Sequence, residues 1–174
     1  MAAIAMSVAA FAGSPAHAAD IAVSGGLTPE VAVVGIAGQW VAPRPFREAE
    51  GWALRYGVEF DVLNMHARQA RKYGASNIAA IGVTPMLRAE WPRSDHATFV
   101  DAGIGGHLLS HTSLQGGPNF GTAFQFGEWI GTGLRFGAGM AWEVGLRLEH
   151  LSNADIKLPN DGITFVSLRA AWHF

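Results

Sequence analysis

Apolar and polar residues alternate along much of the chain with a period of two. From residue 52 to residue 62 the even positions read Trp, Leu, Tyr, Val, Phe and Val, whereas the odd positions are small or charged. The same alternation returns from Trp142 to Glu149 and from Phe165 to Phe174. Because successive side chains of a strand point to opposite faces of a sheet, this pattern predicts strands with one apolar and one polar face.

Eight segments of this kind, separated by breakers rich in glycine and proline, are predicted to be strands. They span Asp20–Gly26, Glu30–Pro43, Gly51–Met65, Ser76–Trp91, Thr98–Ser110, Thr122–Phe136, Met140–Leu151 and Gly162–Phe174.

A soluble sandwich alternates in the same way, so the period alone leaves sandwich and barrel open. The polar faces carry full charges and glycines in mid-strand, and the apolar faces carry aromatic residues near strand ends, which is typical of membrane barrels. The last alternate positions, from Val166 to Phe174, resemble the terminal strand that the assembly machinery of bacterial outer-membrane proteins recognises. We therefore predict an all-β fold, an eight-stranded antiparallel transmembrane β-barrel whose interior is filled by side chains.

The composition of the chain argues against some classes of binding partner. The chain is 49% hydrophobic and 15% charged, against roughly 25% charged residues in ordinary soluble domains. With 12 basic and 14 acidic residues it has no basic field for nucleic acid, so that partner is not expected. The chain has no cysteine, and His66, His96 and His173 are spaced unlike metal ligands, so neither a metal nor a cofactor is expected.

The first residues are typical of an export signal. Residues 1–18 are mostly small and apolar and end in Ala16-His17-Ala18, an A-x-A pattern of signal peptidase sites, although no Lys or Arg precedes them. This predicts a signal peptide over 1–18 and a barrel domain over 19–174. The alternative is a flexible alanine-rich terminus.

Two hydrogen-bonding side chains interrupt an apolar face at the end of the seventh predicted strand. The row from Trp142 to Leu148 continues with His150 and Ser152, whose Cα atoms in a strand are roughly 6 to 7 Å apart. A serine beside a histidine is the nucleophile and base of a serine hydrolase, and an enzyme acting on membrane lipid would carry them on this face. Asn153 and Asn160 follow in a turn, where their amides can serve an oxyanion. The alternative is a polar girdle position followed by an asparagine-rich turn.

These residues resemble the signature of a known family. His150-Leu151-Ser152-Asn153-Ala154, followed by Pro159-Asn160-Asp161-Gly162-Ile163, is similar to the signature of the lipid A 3-O-deacylase family, and weaker similarity covers 101–105 and 126–134. The resemblance implies an outer-membrane barrel of a Gram-negative bacterium that hydrolyses the ester-linked 3-hydroxyacyl chain at the 3-position of lipid A. It implies that Ser152 is the nucleophile, His150 the general base and Asn153 a residue needed for activity. The implied partners are lipopolysaccharide and outer-membrane lipids. A homodimer stays open.

One position departs from the family pattern. The acid of the family's triad falls on Thr164, which can hydrogen-bond an imidazole but cannot stabilise imidazolium by charge. Three explanations remain: a weakened dyad, an acid relocated elsewhere, or lost activity in a non-enzymatic small barrel.

Glu128 is the candidate for a relocated acid, because parity makes it the lone carboxylate on the lipid-facing row of the sixth strand. If residues 137–139 form a three-residue turn that pairs Phe136 with Met140, Glu128 lies opposite Leu148 and diagonal to His150. Alternatively, Glu128 caps the strand near the headgroups or points inward after a bulge at Gly127. Asp155 and Asp161 are lesser candidates.

The direction of the strands determines on which side of the membrane His150 and Ser152 lie. If the last strand ends on the periplasmic side, the seventh runs outward, and His150 and Ser152 lie near the leaflet that holds lipopolysaccharide.

The alternation also predicts which polar side chains face the barrel interior. It predicts that His107 faces inward and is hydrogen-bonded, and that His111 lies in a loop. It also predicts an interior network of acids and arginines: Glu59, Asp61, Asp101, Arg55, Arg135, Arg147 and Arg169.

Overall fold

The structure is a computed structural model that describes residues 19–69 and 73–174. The predicted signal peptide, 1–18, lies outside the described residues. No helix in the described ranges is long and apolar enough to cross a membrane.

Strands make up most of the described chain. They are β1 Ala19–Leu27, β2 Val31–Val41, β3 Arg47–Ala49, β4 Trp52–Ala67, β5 Asn77–Pro92, β6 His96–Leu109, β7 Phe124–Phe136, β8 Trp142–Ser152 and β9 Ile163–His173. A single 3-10 turn, Ala138–Met140, precedes β8.

Eight of these strands form a closed antiparallel barrel. Each pairs with its neighbours in the chain, β2 pairs with β4 past the short β3, and β1 pairs with β9 to close the sheet. The predicted fold class is confirmed, and each predicted strand bound lies within two residues of the observed one. The sequence did not predict β3, which adds a three-residue edge pairing to the start of β4.

The two ends of the barrel differ. Ala19 and Phe174 meet at one end, where the Phe174 N–H donates to the Ala19 carbonyl at 3.2 Å; we call this the terminal end. The connection between β6 and β7, residues 110–123, and the connection between β8 and β9, residues 153–162, lie at the opposite end, called the loop end. The β5–β6 turn at the terminal end is only three residues long.

The outer surface is apolar along every barrel strand, as the alternation predicts. On β8 and β9 the exposed rows are Trp142, Val144, Leu146, Leu148, Val166, Leu168, Trp172 and Phe174. Several exposed aromatic rings gather toward the terminal end, and Trp40 and Tyr56 make an edge contact at 6.0 Å. Such a ring-lined rim is typical of a membrane interface.

The interior has two zones. An ion-pair network fills the part nearer the terminal end, where Arg88 binds Asp101 and Glu143, and Arg147 binds Glu59. An apolar cluster fills the loop end: Val31, Val33, Leu63, Met65, Ala67, Ile78, Ala80, Leu109, Leu114, Phe120, Leu151, Ile163 and Phe165. The interior is therefore packed, as predicted for a barrel of this size.

The predicted interior network is confirmed and extended. Arg169 binds Glu143 at 2.5 Å, and Arg135 binds Glu90 at 2.9 Å nearer the terminal rim, where Arg55 also reaches Glu90. His107 is buried and its Nε2 lies 3.2 Å from Asp61 Oδ1. The apolar zone was not predicted, nor were the roles of Arg88, Glu143, Asp20 and His173.

The predicted register between β7 and β8 is wrong by two residues. Phe136 pairs with Trp142 rather than Met140, because Met140 takes a positive φ of 58° and Ala141 also belongs to the connection. Glu128 consequently lies directly opposite His150, not opposite Leu148.

Candidate functional site

The site lies on the outer face of the barrel, near the loop end of β8. His150 and Ser152 continue the apolar row of β8, and both side chains are half-buried. His150 pairs with Glu128 on β7 and with Thr164 on β9, so three hydrogen-bonding side chains lie side by side across three strands. The structure therefore brings together four of the predicted site residues on one face.

Thr164 holds the imidazole of His150. The Nδ1 atom lies 2.7 Å from the Thr164 hydroxyl oxygen. When Nδ1 carries the ring proton it donates to that oxygen, and Nε2 is left with a free lone pair. A base in this tautomer can take a proton from a neighbouring hydroxyl.

Gly162 packs closely against His150 and Ser152, where a side chain would be crowded. Ser152 pairs with Phe126 on β7, while the pairing of β8 with β9 ends at Leu151, just before Ser152. A Cβ atom on Gly162 would lie 3.1 Å from His150 Cε1 and 3.3 Å from Ser152 Cβ, and the residue has a φ of +60°. Sequence reasoning placed Gly162 in the motif but missed its position over both side chains; the Asp-Gly pair in a turn is the signal that points to a positive φ.

Glu128 faces outward, so the alternative of an inward carboxylate after a bulge at Gly127 is wrong. The register between β7 and β8 is continuous from Phe126 to Phe136, and the side chain of Glu128 is exposed. Within residues 19–69 and 73–174, its carboxylate makes no hydrogen bond or ion pair. Directly opposed residues of antiparallel strands have Cβ atoms about 4.5 to 5.5 Å apart, which leaves Glu128 as a charge beside the imidazole.

The loop after Ser152 is held by its own asparagines. The side chain of Asn153 is fully buried, and its amide group donates to the carbonyls of Phe120 at 2.6 Å and Lys157 at 2.7 Å. The backbone N–H of Asn153 donates to Asn160 Oδ1 at 2.9 Å. Both amide hydrogens of Asn153 are therefore engaged within the loop. Asn160 uses its amide group once, to Asp155 at 3.0 Å.

Apolar side chains flank the site. Phe124 and Phe126 make an edge contact at 5.0 Å on β7, beside Ser152, and Leu148 and Ile130 continue the exposed surface toward mid-barrel. This surface suits a hydrocarbon chain whose polar end lies at the dyad.

A second cluster of titratable side chains lies inside the barrel at the terminal end. Asp20, Glu143 and His173 are all buried, and one ligand atom from each lies within 4.8 Å of the others. Glu143 already binds Arg88 and Arg169, and Asp20 lies 3.4 Å from Arg169. Because two arginines share these carboxylates, the donor set fits an ion-pair network better than a cation site.

Comparisons with known proteins agree on one family. The family model for lipid A 3-O-deacylase (PagL) matches residues 34–173. The lipid A deacylase PagL of Bordetella bronchiseptica is 42% identical over 130 residues, covering 71% of this chain and 70% of that protein. The lipid A deacylase PagL of Pseudomonas aeruginosa is 38% identical over 89 residues, so that match spans 51% of this chain and half of that relative's length.

Solved structures share the barrel. The crystal structure of the outer membrane enzyme PagL superposes with a TM-score of 0.78 at 24% identity, covering 89% of this chain and 99% of the other. Neisserial surface protein A (NspA) superposes with a TM-score of 0.51 at 11% identity, covering 90% and 94%. At these identities the likeness is one of fold.

Proposed function

The chain belongs to the lipid A 3-O-deacylase (PagL) family, and from this premise we propose that it is an outer-membrane serine esterase that removes the ester-linked 3-hydroxyacyl chain from the 3-position of lipid A. The observation that carries the proposal is the hydrogen bond between His150 Nδ1 and the Thr164 hydroxyl, which leaves Nε2 available on the same outward face of β8 that carries Ser152.

The reaction follows from these two side chains. His150 Nε2 takes the proton of Ser152 as Oγ attacks the ester carbonyl, and the resulting imidazolium gives that proton to the departing sugar oxygen, which leaves as a hydroxyl. The acyl group is then an ester of Ser152. A water molecule, deprotonated by the same imidazole, attacks this ester; the 3-hydroxy fatty acid is released and the imidazolium returns the proton to Ser152 Oγ.

The loop of residues 153–162 supports this chemistry in two ways. Asn153 is needed for activity because its buried amide fixes the loop directly after the nucleophile. Asn160 carries the remaining amide donor near the site and stabilises the oxyanion.

Membrane placement supports the choice of substrate. With the terminal end toward the periplasm, β8 runs outward and the dyad reaches the outer leaflet, which holds lipopolysaccharide. The acyl chain lies along Phe124, Phe126 and Leu148, and its ester lies at Ser152.

Mass spectrometry of lipid A tests the proposal. The full chain is expressed in a Gram-negative host whose lipid A keeps its 3-position acyl chain. We expect the lipid A to lose the mass of one 3-hydroxyacyl chain, with fragmentation assigning the loss to the 3-position. Ser152→Ala should abolish this loss while the barrel still shifts on a gel between unheated and heated samples.

Ser110→Ala is a matched control. Ser110 also lies at the loop end beside a histidine, with its Oγ 3.2 Å from His111 Nδ1, but outside the site. It should keep the activity. Unchanged lipid A with the folded wild-type barrel would instead support a non-enzymatic barrel, the outcome expected if Thr164 marks loss of the acid.

A further inference from the structure

The triad acid of a serine hydrolase performs two tasks. The acid fixes the tautomer of the histidine, and its negative charge stabilises the imidazolium that forms during the reaction. We propose that Thr164 performs the first task and Glu128 the second, from opposite sides of His150. The inference rests on the proposed esterase activity and concerns how its base is supported.

Thr164 has the geometry for the first task and lacks the charge for the second. Its hydroxyl lies 2.7 Å from Nδ1, within the range of a well-formed hydrogen bond. A hydroxyl accepts the Nδ1 proton and keeps Nε2 free for Ser152. It is neutral, however, so the ion pair that a carboxylate would form with imidazolium is missing on the β9 side.

Glu128 supplies a charge on the β7 side. It is directly cross-strand to His150 and exposed on the lipid-facing surface, where an unpaired carboxylate is unfavourable. In the described part of the chain it has no cationic partner. An imidazolium at His150 is the cation that would compensate it, so the pair forms when the proton leaves Ser152. This interaction is stronger in the transition state than in the resting site, which is the condition for accelerating the reaction.

Among the described residues of the neighbouring strands, no other charged side chain is paired with His150. β9 presents Thr164, and on β8 the flanking Arg147 and Glu149 point into the barrel and are buried. In the loop, Asp155 accepts from Asn160, and Asp161 accepts from the backbone of Asn119. Glu128 is therefore the carboxylate whose removal should change the behaviour of this base.

The test measures kcat, KM and the pH profile of purified full-length variants on lipid A in detergent. Glu128→Gln removes the charge and keeps the shape. We expect kcat to fall about tenfold, the change that about 1.4 kcal/mol of transition-state stabilisation produces, with little change in KM. The pH dependence of kcat should also differ from that of the wild type, because a charge beside the catalytic base has been removed.

Thr164→Val separates the two tasks. It removes the hydrogen bond, so kcat should fall, while the pH dependence of kcat stays close to that of the wild type. Thr164→Glu restores a carboxylate on β9; it should raise kcat, and in that background Glu128→Gln should have a much smaller effect than in the wild type. Matched controls are Glu48→Gln, an exposed carboxylate on β3, and Thr132→Val, an outward threonine on β7.

The outcomes are distinct. A wild-type kcat and pH profile in Glu128→Gln, together with an inactive Ser152→Ala, would overturn the shared role and leave the esterase standing. If Glu128→Gln lowers kcat as much in the Thr164→Glu variant as in the wild type, the shared role is also overturned. If Ser152→Ala retains activity, the proposed esterase mechanism itself fails.

Discussion

At the scale of single residues, Arg88 shows how the interior carries charge by pairing it with opposite charges. The residue is 1% exposed, and its guanidinium donates to Asp101 at 2.6 Å and to Glu143 at 2.8 Å while lying 4.2 Å from the ring centre of Phe99. Arg88→Met keeps much of the apolar stem but leaves two buried carboxylates without this partner. Breaking a buried pair in this way costs about 3 to 5 kcal/mol.

We therefore expect Arg88→Met to lower the free energy of unfolding by about that amount, measured by urea titration of the barrel in lipid vesicles. Arg93→Met is the matched control, because Arg93 lies in the exposed β5–β6 turn and, among the described residues, its guanidinium bonds only the neighbouring Pro92 carbonyl. It should change stability by less than about 0.5 kcal/mol. Equal unfolding midpoints for the two variants would contradict the role of Arg88.

Residue parity predicted which charges face inward, but not how they pair. The alternation assigns Glu59 and Arg147 to the interior, and both lie there. The partnership of His173 with Asp20 depends on contact between the first and last strands, which no local pattern encodes. A local signal did exist for the apolar zone, since the inward row of β4 changes from Glu59 and Asp61 to Leu63 and Met65.

At the scale of elements, the β8–β9 loop packs directly against Gly121. This glycine has a φ of +68°, and a Cβ atom there would collide with the carbonyl of Pro159 and lie 2.6 Å from that of Lys157. Because Asn153 donates to the same Lys157 carbonyl, a displaced loop would also disturb the residue that follows the nucleophile. Gly121→Ala should therefore reduce lipid A deacylation about tenfold or more, equivalent to about 1.4 kcal/mol, in the mass spectrometric assay.

Gly51→Ala controls for backbone strain. Gly51 has a φ of +82° at the terminal end, but nothing lies within 4 Å of its added Cβ. Both substitutions carry the cost of a side chain at positive φ, and Gly51→Ala lacks the collision. Gly51→Ala should keep full activity. An equal loss of activity in both variants would show that backbone strain, and not displacement of the β8–β9 loop, causes the loss.

The boundaries of elements follow from the sequence more closely than their register does. Period-two alternation and the breakers at Pro43, Pro92 and Gly116 locate the strands well. The register of β7 and β8 depends on the backbone of residues 137–141. Met140 adopts a positive φ there, which its residue type does not predict. The turn is two residues longer than predicted, so Glu128 lies directly opposite His150 and not diagonal to it. This position allows Glu128 and Thr164 to share the tasks of the triad acid.

At the scale of the whole molecule, the barrel is polarised along its axis. The aromatic rim and the ion-pair network lie toward the terminal end, whereas the apolar cluster around Phe120 and Leu151 lies at the loop end with His150 and Ser152. Function on lipid A requires the loop end to face outward, since the outer leaflet holds the substrate. Orientation is thus a consequence of the proposed function that can be tested without measuring catalysis.

The absence of cysteine from the sequence makes that test clean. Ile156→Cys places a thiol on the exposed tip of the β8–β9 loop, and Ser94→Cys places one in the β5–β6 turn at the terminal end. In intact cells a membrane-impermeant maleimide should label the first variant and not the second, because the outer membrane shields the periplasmic turn. Both should be labelled after the outer membrane is permeabilised. Labelling of position 94 alone in intact cells would place the dyad in the inner leaflet, away from lipopolysaccharide.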